Sequence, residues 1–130
     1  ILIKENHISA AGGIQEALAQ AGRFPYPVQI EVETLSQMEE ALRHGAQSIL
    51  LDNFTLQQLH DAVRLNQHQA ILEASGGVNL DTVRQIALTG VDRISVGQLT
   101  KDIGAIDLSM RLETSQADSA FFDISPYSKG

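Results

Sequence analysis

The feature that most constrains this chain is an alternation of short apolar segments with amphipathic ones. Five segments are apolar nearly throughout and are predicted to be strands: 1–4, 28–33, 48–53, 69–75 and 91–97. Four intervening segments carry apolar residues at helical spacing and are predicted to be helices: 7–21, 34–43, 55–65 and 79–88. Such an alternation is typical of a parallel sheet covered by helices, so the predicted fold class is α/β.

The residues at the helix ends refine this prediction. Thr55 is a predicted N-cap, and Gly22 is a candidate residue for the C-terminal end of the first helix. Gly12 and Gly13 weaken that helix near its beginning. The pattern over 106–112 fits either a strand or a helical turn.

The order of elements favours part of a (β/α) barrel over a dinucleotide-binding fold. No GxGxxG motif follows the first predicted strand, although that motif is expected in a dinucleotide-binding fold. Polar residues instead stand at the C-terminal end of each predicted strand. In barrels of this type, that end carries the chemistry.

Carboxylates are prominent among these strand-end residues, which are Lys4, Glu31 and Glu33, Asp52 and Asn53, Glu73 and Ser75, and Gly97. Residues two apart on a strand point to the same side of the sheet, as Glu31 and Glu33 should. Grouped carboxylates can hold Mg²⁺, accept hydrogen bonds from ribose hydroxyls, or stabilise a developing positive charge. One carboxylate alone would more simply be a solvated or capping group.

The stretch 70–77 is a candidate anion site. An apolar run ends in Glu73, Ser75, Gly76 and Gly77, and 78–82 is predicted to begin a helix. Backbone N–H groups at a helix N-terminus favour negative charge, and glycine lets a phosphate approach the backbone closely. The same residues could also form no more than a tight turn between a strand and a helix.

The charge of the chain limits its partners. The formal net charge is −7, which argues against nucleic-acid binding. If the substrates are anions, further cations must come from elsewhere.

No apolar run approaches the ~20 residues of a membrane span. The absence of cysteine excludes disulfides and thiolate metal sites and fits a cytoplasmic protein.

Six motifs together resemble the quinolinate phosphoribosyltransferase family, also called carboxylating nicotinate-nucleotide pyrophosphorylases. They run in order from residue 1 to about 113: Lys4-Glu5-Asn6-His7-Ile8, Ile30-Glu31-Val32-Glu33, Leu50-Leu51-Asp52-Asn53, Leu72-Glu73-Ala74-Ser75-Gly76-Gly77, Gly90-Val91-Asp92-Arg93-Ile94-Ser95-Val96-Gly97 and Ala105-Ile106-Asp107-Leu108-Ser109-Met110. Each motif alone is weak, but the set is specific.

The resemblance implies a step of NAD biosynthesis. Quinolinate and phosphoribosyl pyrophosphate would react with Mg²⁺ to give nicotinate mononucleotide, pyrophosphate and carbon dioxide. It also implies a cytoplasmic enzyme that is a homodimer or larger, with neither nucleic acid nor membrane as a partner.

The resemblance also implies residue roles. Lys4 would contact an anionic substrate group, and Glu31 and Asp52 would form the central acidic pair that binds the ribose hydroxyls and Mg²⁺. Glu33 competes with Glu31 for that role. The phosphate would be bound by two groups of residues, Ser75, Gly76 and Gly77 in one and Val96, Gly97 and Gln98 in the other. Lys101 stands where the family often has histidine and keeps a positive charge near the phosphate.

The chain also departs from the family. The family has an N-terminal domain and a first part of the barrel before Lys4, which supply most substrate-binding cations. We therefore expect residues 1–113 to be the C-terminal part of the barrel domain, inactive alone, with 114–130 as an irregular tail. The alternatives are a related phosphoribosyltransferase, another phosphate-binding barrel with a different ring substrate, and a non-catalytic fragment that assembles with another chain.

Overall fold

Parallel strands connected by helices form the body of the molecule. A computed structural model describes residues 1–96, 108–114 and 120–126. The strands are β1 Leu2–Ile3, β2 Gln29–Val32, β3 Ser48–Asp52, β4 Ile71–Ser75, β5 Arg93–Val96, β6 Leu108–Thr114 and β7 Ala120–Pro126. The helices are α1 Glu5–Ala11, α2 Ile14–Ala21, α3 Leu35–Arg43, α4 Leu56–Asn66 and α5 Val83–Leu88.

In the described residues, the strands form one sheet in the order of the sequence, β1 to β7. β1 to β5 pair in parallel, with registers such as Glu31 opposite Leu50 and Asp52 opposite Ser75. β6 and β7 are antiparallel additions to the edge next to β5. The predicted α/β architecture with parallel strands alternating with helices is confirmed.

The helices cover one face of the parallel strands. Alternate strand residues are buried on this face: Ile3, Ile30, Val32, Ile49, Leu51, Leu72, Ala74, Ile94 and Val96. Met38 on α3 and Leu59 on α4 are among the fully buried helix residues of the same core. Burying each such side chain contributes about 1.5–3 kcal/mol to folding, so this face holds the sheet and helices together.

The opposite face of the sheet, here called the open face, has no helix layer in the described residues. It carries the half-buried alternate positions Gln29, Glu31, Ser48, Leu50, Asp52, Glu73, Ser75, Arg93 and Ser95. The prediction of strands that are apolar nearly throughout was wrong for this face. Only the helix-covered positions must be apolar, and the alternating polar residues are free to form a site.

Hydrogen bonds explain why two helices begin where predicted. Thr34 Oγ1 accepts the Gln37 N–H, and Thr55 Oγ1 accepts the Gln58 N–H, both at 3.1 Å. Gln58 Oε1 in turn accepts the Thr55 N–H at 2.8 Å, which completes a capping box.

Other segments differ from the prediction. The helical segment 7–21 is split into α1 and α2 at Gly12 and Gly13, whose φ angles of 103° and 152° no helix accommodates. The helix ends at Gly22 as predicted, with Gly22 as the C-cap of α2 in a right-handed conformation. The ambiguous segment 106–112 contributes to strand β6, and β7 lies within the tail expected to be irregular. Its Phe121, Phe122 and Ile124 are residues with strong strand preference.

In the described part of the chain, no helix combines the length and apolar character needed to cross a membrane.

Candidate active site

Three carboxylates meet at the C-terminal ends of β2 and β3. One oxygen each of Glu31, Glu33 and Asp52 lies within 4.8 Å of the others. Glu31 lies in β2 and Glu33 directly follows it, while Asp52 is the last residue of β3. Glu31 and Asp52 are half-buried, whereas Glu33 is exposed. Such a group is compatible with a hard cation such as Mg²⁺, which prefers carboxylate oxygens.

The surroundings of Glu31 disfavour its negative charge. Burial raises the pKa of its carboxyl group above the ordinary value of 4.5, and the charge of Asp52 raises this pKa further. Glu33 and Glu5 act in the same direction, and the ammonium group of Lys4 opposes them. Lys4 therefore lies near enough to Glu31 to influence it, as predicted from its place at the end of the first strand. A cation bound between these carboxylates would remove the repulsion.

Lys4 is held by the start of helix α1. It is the N-cap residue of that helix, with an extended backbone. Its N–H donates to Nδ1 of His7 at 3.0 Å, which fixes the histidine over the first turn. His7 therefore caps the start of α1.

The glycine turn after β4 packs directly against the end of β3. Ser75 donates its hydroxyl to Asp52 Oδ1 at 3.3 Å, and its carbonyl oxygen accepts the Asn53 N–H at 2.8 Å. A Cβ on Gly76 would lie 3.1 Å from Asp52 Oδ1 and 3.1 Å from the Asn53 nitrogen. Gly76 also has a φ of +80°, so glycine is required by both conformation and space. The structure thus places the predicted phosphate-binding turn beside the acidic residue.

The helix that should follow this turn begins later than predicted. Its first residue is Val83, and Thr82 precedes it as N-cap. Asn79 Oδ1 accepts the N–H groups of Asp81 and Thr82 at 2.9 and 3.0 Å, and its carbonyl oxygen accepts the Val83 N–H at 2.9 Å, so 80–82 form a turn that leads into the helix. The prediction that 78–82 begins the helix was wrong. The candidate anion site therefore depends on the Ser75 hydroxyl and the turn's backbone, and not on an adjoining helix N-terminus.

The second predicted phosphate-binding group is described only at its first residue. Val96 ends β5 with its side chain 3% exposed on the helix-covered face, so only its backbone can contribute to a site. Gly97, Gln98 and Lys101 lie outside the described residues.

Sequence reasoning missed a hydrogen-bonded group on the open face. Glu73 Oε2 accepts the Gln29 side-chain amide at 2.8 Å, and Glu73 Oε1 accepts the Ser95 hydroxyl at 2.7 Å. Glu73 was noted as a strand-end carboxylate, but Gln29 and Ser95 were not. Their position two residues before Glu31 and Gly97 is the signal that could have identified them, because it places them on the same face.

The sequence matches a family model, and this decides the family. The model is that of the C-terminal domain of quinolinate phosphoribosyl transferase, and it covers residues 1–111. The chain belongs to the quinolinate phosphoribosyl transferase family. The resemblance carried by the six sequence motifs is thereby confirmed.

Relatives in this family share about a third of their aligned residues with the chain. A chloroplastic nicotinate-nucleotide pyrophosphorylase (carboxylating) of Oryza sativa subsp. japonica is 37% identical, with 90% of this chain and 37% of the relative covered. The corresponding human protein is 36% identical, with 86% of this chain and 40% of the relative covered. The chain thus spans about two fifths of the length of these members of the quinolinate phosphoribosyl transferase family.

A solved family structure has the same fold. The nicotinate-nucleotide pyrophosphorylase of Francisella tularensis superposes with a TM-score of 0.74 at 36% sequence identity. The match covers 95% of this chain and 41% of that one. Together with the five parallel strands, this likeness confirms the prediction of an α/β fold that forms part of a barrel.

Proposed function

We propose that this chain is part of a carboxylating nicotinate-nucleotide pyrophosphorylase. The reaction joins quinolinate and phosphoribosyl pyrophosphate and releases nicotinate mononucleotide, pyrophosphate and carbon dioxide. The observation that carries the proposal is the contact between the acidic cluster and the glycine turn, through Ser75 and Asp52, in a chain of this family. That contact brings groups suited to ribose and groups suited to phosphate into one site.

The proposed chemistry needs negative charge near the ribose ring. Pyrophosphate leaves with the electron pair of its bond to ribose C1, and the quinolinate nitrogen forms a new bond to that carbon. The carboxyl group next to the nitrogen then leaves as carbon dioxide, and a proton replaces it. Positive charge develops on the ribose as the first bond breaks. Glu31 and Asp52, whose carboxylate oxygens lie within 4.8 Å of each other, would accept hydrogen bonds from ribose hydroxyls and stabilise this charge.

We also propose Mg²⁺ as the cofactor. Three carboxylate oxygens within 4.8 Å of one another fit the oxygen-rich coordination of this ion. Glu31 and Asp52 would hold it, with Glu33 as the competing ligand. When bound, Mg²⁺ would neutralise charge on the leaving pyrophosphate.

Phosphate recognition is assigned to uncharged groups and to a few cations. The backbone of Gly76 and Gly77 would bind one phosphate, together with the Ser75 hydroxyl when its proton turns from Asp52 to a phosphate oxygen. Val96, Gly97, Gln98 and Lys101 would complete the pocket. Lys4 would contact an anionic group of the substrate. Because the net charge of the chain is −7, we propose that further cations come from other parts of the enzyme, including the second copy of a homodimer.

A cytoplasmic location belongs to the same proposal and is supported by the absence of cysteine. Relatives include a chloroplastic protein and a mitochondrial one, so fractionation of cells that express the protein is the appropriate test. Recovery in an organelle fraction would contradict a cytoplasmic location.

The experiment that tests the proposed function is a substrate comparison on the full product of the gene that encodes this chain. The protein is incubated with Mg²⁺, phosphoribosyl pyrophosphate and either quinolinate or nicotinate. We expect nicotinate mononucleotide and carbon dioxide from quinolinate only. Formation of a product with nicotinate and not with quinolinate would indicate a related phosphoribosyltransferase. Failure to bind phosphoribosyl pyrophosphate would favour a non-catalytic assembly role.

A further inference from the structure

The open face of the sheet carries a hydrogen-bonded group that the proposed chemistry does not use. Glu73 on β4 is half-buried, and each of its carboxylate oxygens accepts one hydrogen bond. The donors are Gln29 on β2, at 2.8 Å, and Ser95 on β5, at 2.7 Å. We call these three residues the Glu73 clamp. Hydrogen bonds to a carboxylate are stronger than those between neutral groups, so the clamp restricts the relative movement of its strands.

The Gln29 hydrogen bond of the clamp joins β2 to β4, which are not neighbours, whereas Ser95 lies on β5 next to β4. β3 lies between β2 and β4, and its Leu50 is paired with Glu31 on one side and Glu73 on the other. The Gln29 side chain therefore crosses over β3 to reach Glu73. Alternate strands contribute to the same layer of a barrel interior, and Gln29 and Glu73 have this relationship. The ladders of β3 with β2 and with β4 set the spacing of neighbouring strands, and the Gln29–Glu73 hydrogen bond adds a direct connection between β2 and β4 on this face.

Each clamp residue stands two positions before a residue of the proposed substrate site. Gln29 precedes Glu31, Glu73 precedes Ser75, and Ser95 precedes Gly97 along the sequence. Residues two apart on a strand share a face, so the clamp and the described site residues Glu31 and Ser75 occupy successive positions on the open face. A shift of β2 relative to β4 would change the separation of Glu31 from Ser75.

We propose that Glu73 is a positioning residue for binding of phosphoribosyl pyrophosphate. By holding Gln29 and Ser95 it supports the placement of the acidic strand β2 relative to the strands β4 and β5, which precede the two groups of residues proposed to bind phosphate. Glu73 acts through these two side chains and not by touching the substrate. This inference rests on the proposed function, because it concerns the same site.

The test exchanges the partners of the clamp in the full product of the gene. Gln29→Glu removes the amide donor and places a second carboxylate against Glu73. Adding Glu73→Gln to Gln29→Glu restores one amide and one carboxylate with their places exchanged. Gln15→Glu, on the exposed surface of α2, adds the same charge and is the matched control. Calorimetry measures binding of phosphoribosyl pyrophosphate with Mg²⁺, and thermal melting measures stability.

We expect Gln29→Glu to weaken binding of phosphoribosyl pyrophosphate about tenfold, since small misplacements of binding groups have large effects. The double variant should bind within about threefold of the wild type, and Gln15→Glu should not differ from it. Glu73→Ala separates geometry from charge. It removes a negative charge, which by itself would tighten binding of an anion, yet loss of the clamp should weaken binding.

Ser95→Ala removes one donor with little change in volume and keeps the proposal testable if the larger changes prevent folding. We expect about threefold weaker binding from it. The proposal is overturned if these variants lower the melting temperature but leave binding unchanged, because the clamp would then only stabilise the fold.

The outcomes for the wild type separate this inference from the proposed function. If the wild type binds phosphoribosyl pyrophosphate but does not convert quinolinate, the proposed function fails. The affinities of the variants for phosphoribosyl pyrophosphate relative to the wild type still decide the role of Glu73. If the wild type does not bind phosphoribosyl pyrophosphate at all, both proposals fail.

Discussion

Ser75 donates its hydroxyl to Asp52 Oδ1 at 3.3 Å, across the pairing of β3 with β4. This hydrogen bond joins the residue that opens the glycine turn to the carboxylate that closes β3. The turn and the acidic cluster should therefore respond together to substitution. Gly76 is the residue at which this coupling can be tested most sharply.

We expect Gly76→Ala to destabilise the protein by about 2–3 kcal/mol and to weaken binding of phosphoribosyl pyrophosphate. The alanine must adopt a φ of +80°, which is strained for any residue with a side chain. Its Cβ would lie 3.1 Å from both Asp52 Oδ1 and the Asn53 nitrogen. Thermal melting and calorimetry on the full gene product measure the two effects.

Gly45→Ala is a matched control, because Gly45 has the same φ of +80° and its Cβ would have nothing within 4 Å. We expect it to cost about 1 kcal/mol and to leave binding unchanged. Equal losses of stability and binding in the two variants would contradict the close packing of the turn against Asp52.

The competition between Glu31 and Glu33 can be resolved by neutralising each in turn. Glu31 is half-buried within β2, whereas Glu33 is exposed and follows the strand. We therefore expect Glu31→Gln to lower kcat/KM about a hundredfold and Glu33→Gln less than about tenfold. Steady-state kinetics with quinolinate measure both, and Glu39→Gln on the exposed surface of α3 is the control. A larger loss of kcat/KM in Glu33→Gln than in Glu31→Gln would show that Glu33, and not Glu31, is the central acidic residue.

The stability of the protein should depend on the ionisation of Glu31. Because the pKa of Glu31 is raised by burial and by Asp52, its contribution to stability is present below pH 4.5 and is lost as pH rises through the folded-state value. Without Mg²⁺, Glu31→Gln should therefore gain melting temperature relative to the wild type, by about 2 °C at neutral pH. The gain should vanish near pH 4. Melting curves between pH 4 and neutral pH measure this gain, with Glu39→Gln as control. A difference in melting temperature between Glu31→Gln and the wild type that stays the same at every pH would refute the effect.

The two faces of the sheet should tolerate substitution differently. Leu51 is fully buried under the helices, whereas Leu50 is half-buried on the open face. We expect Leu51→Ala to cost about 3 kcal/mol and Leu50→Ala about 1 kcal/mol, because only the first leaves a cavity in the core. Chemical denaturation measures both values. A larger loss from Leu50→Ala would contradict the assignment of the core to the helix-covered face.

Local signals were sufficient to predict much of the fold. The caps at Thr34 and Thr55 depend on residues three positions away, so the sequence displays them directly. The late start of α5 was missed because Asn79 has the side chain of an N-cap and accepts the N–H groups that follow it, although the regular helix begins only at Val83. The ambiguity of 106–112 was resolved as β6 by its antiparallel pairing with β5, which no local pattern displays.

In the candidate site, too, the features that local sequence displays were predicted, and those that depend on the placement of distant strands were not. The proximity of Glu31, Asp52 and Ser75 was predicted because they stand at or near the ends of predicted strands, and parallel strands bring those ends to one edge. The Glu73 clamp was missed because it depends on the relative placement of β2 and β4, which lie on either side of β3. Gln29 has no distinguishing feature in the sequence until that placement is known.

The most direct test of the proposed function is an assay of the full gene product with quinolinate, phosphoribosyl pyrophosphate and Mg²⁺, with Asp52→Asn beside the wild type. We expect the wild type to release carbon dioxide and form nicotinate mononucleotide. Asp52→Asn should be at least about a hundredfold slower, since it removes a charge from the site where positive charge develops. If the wild type is active on other substrates only, the proposed function is contradicted. If the wild type and Asp52→Asn are equally active with quinolinate, the proposed role of Asp52 is contradicted.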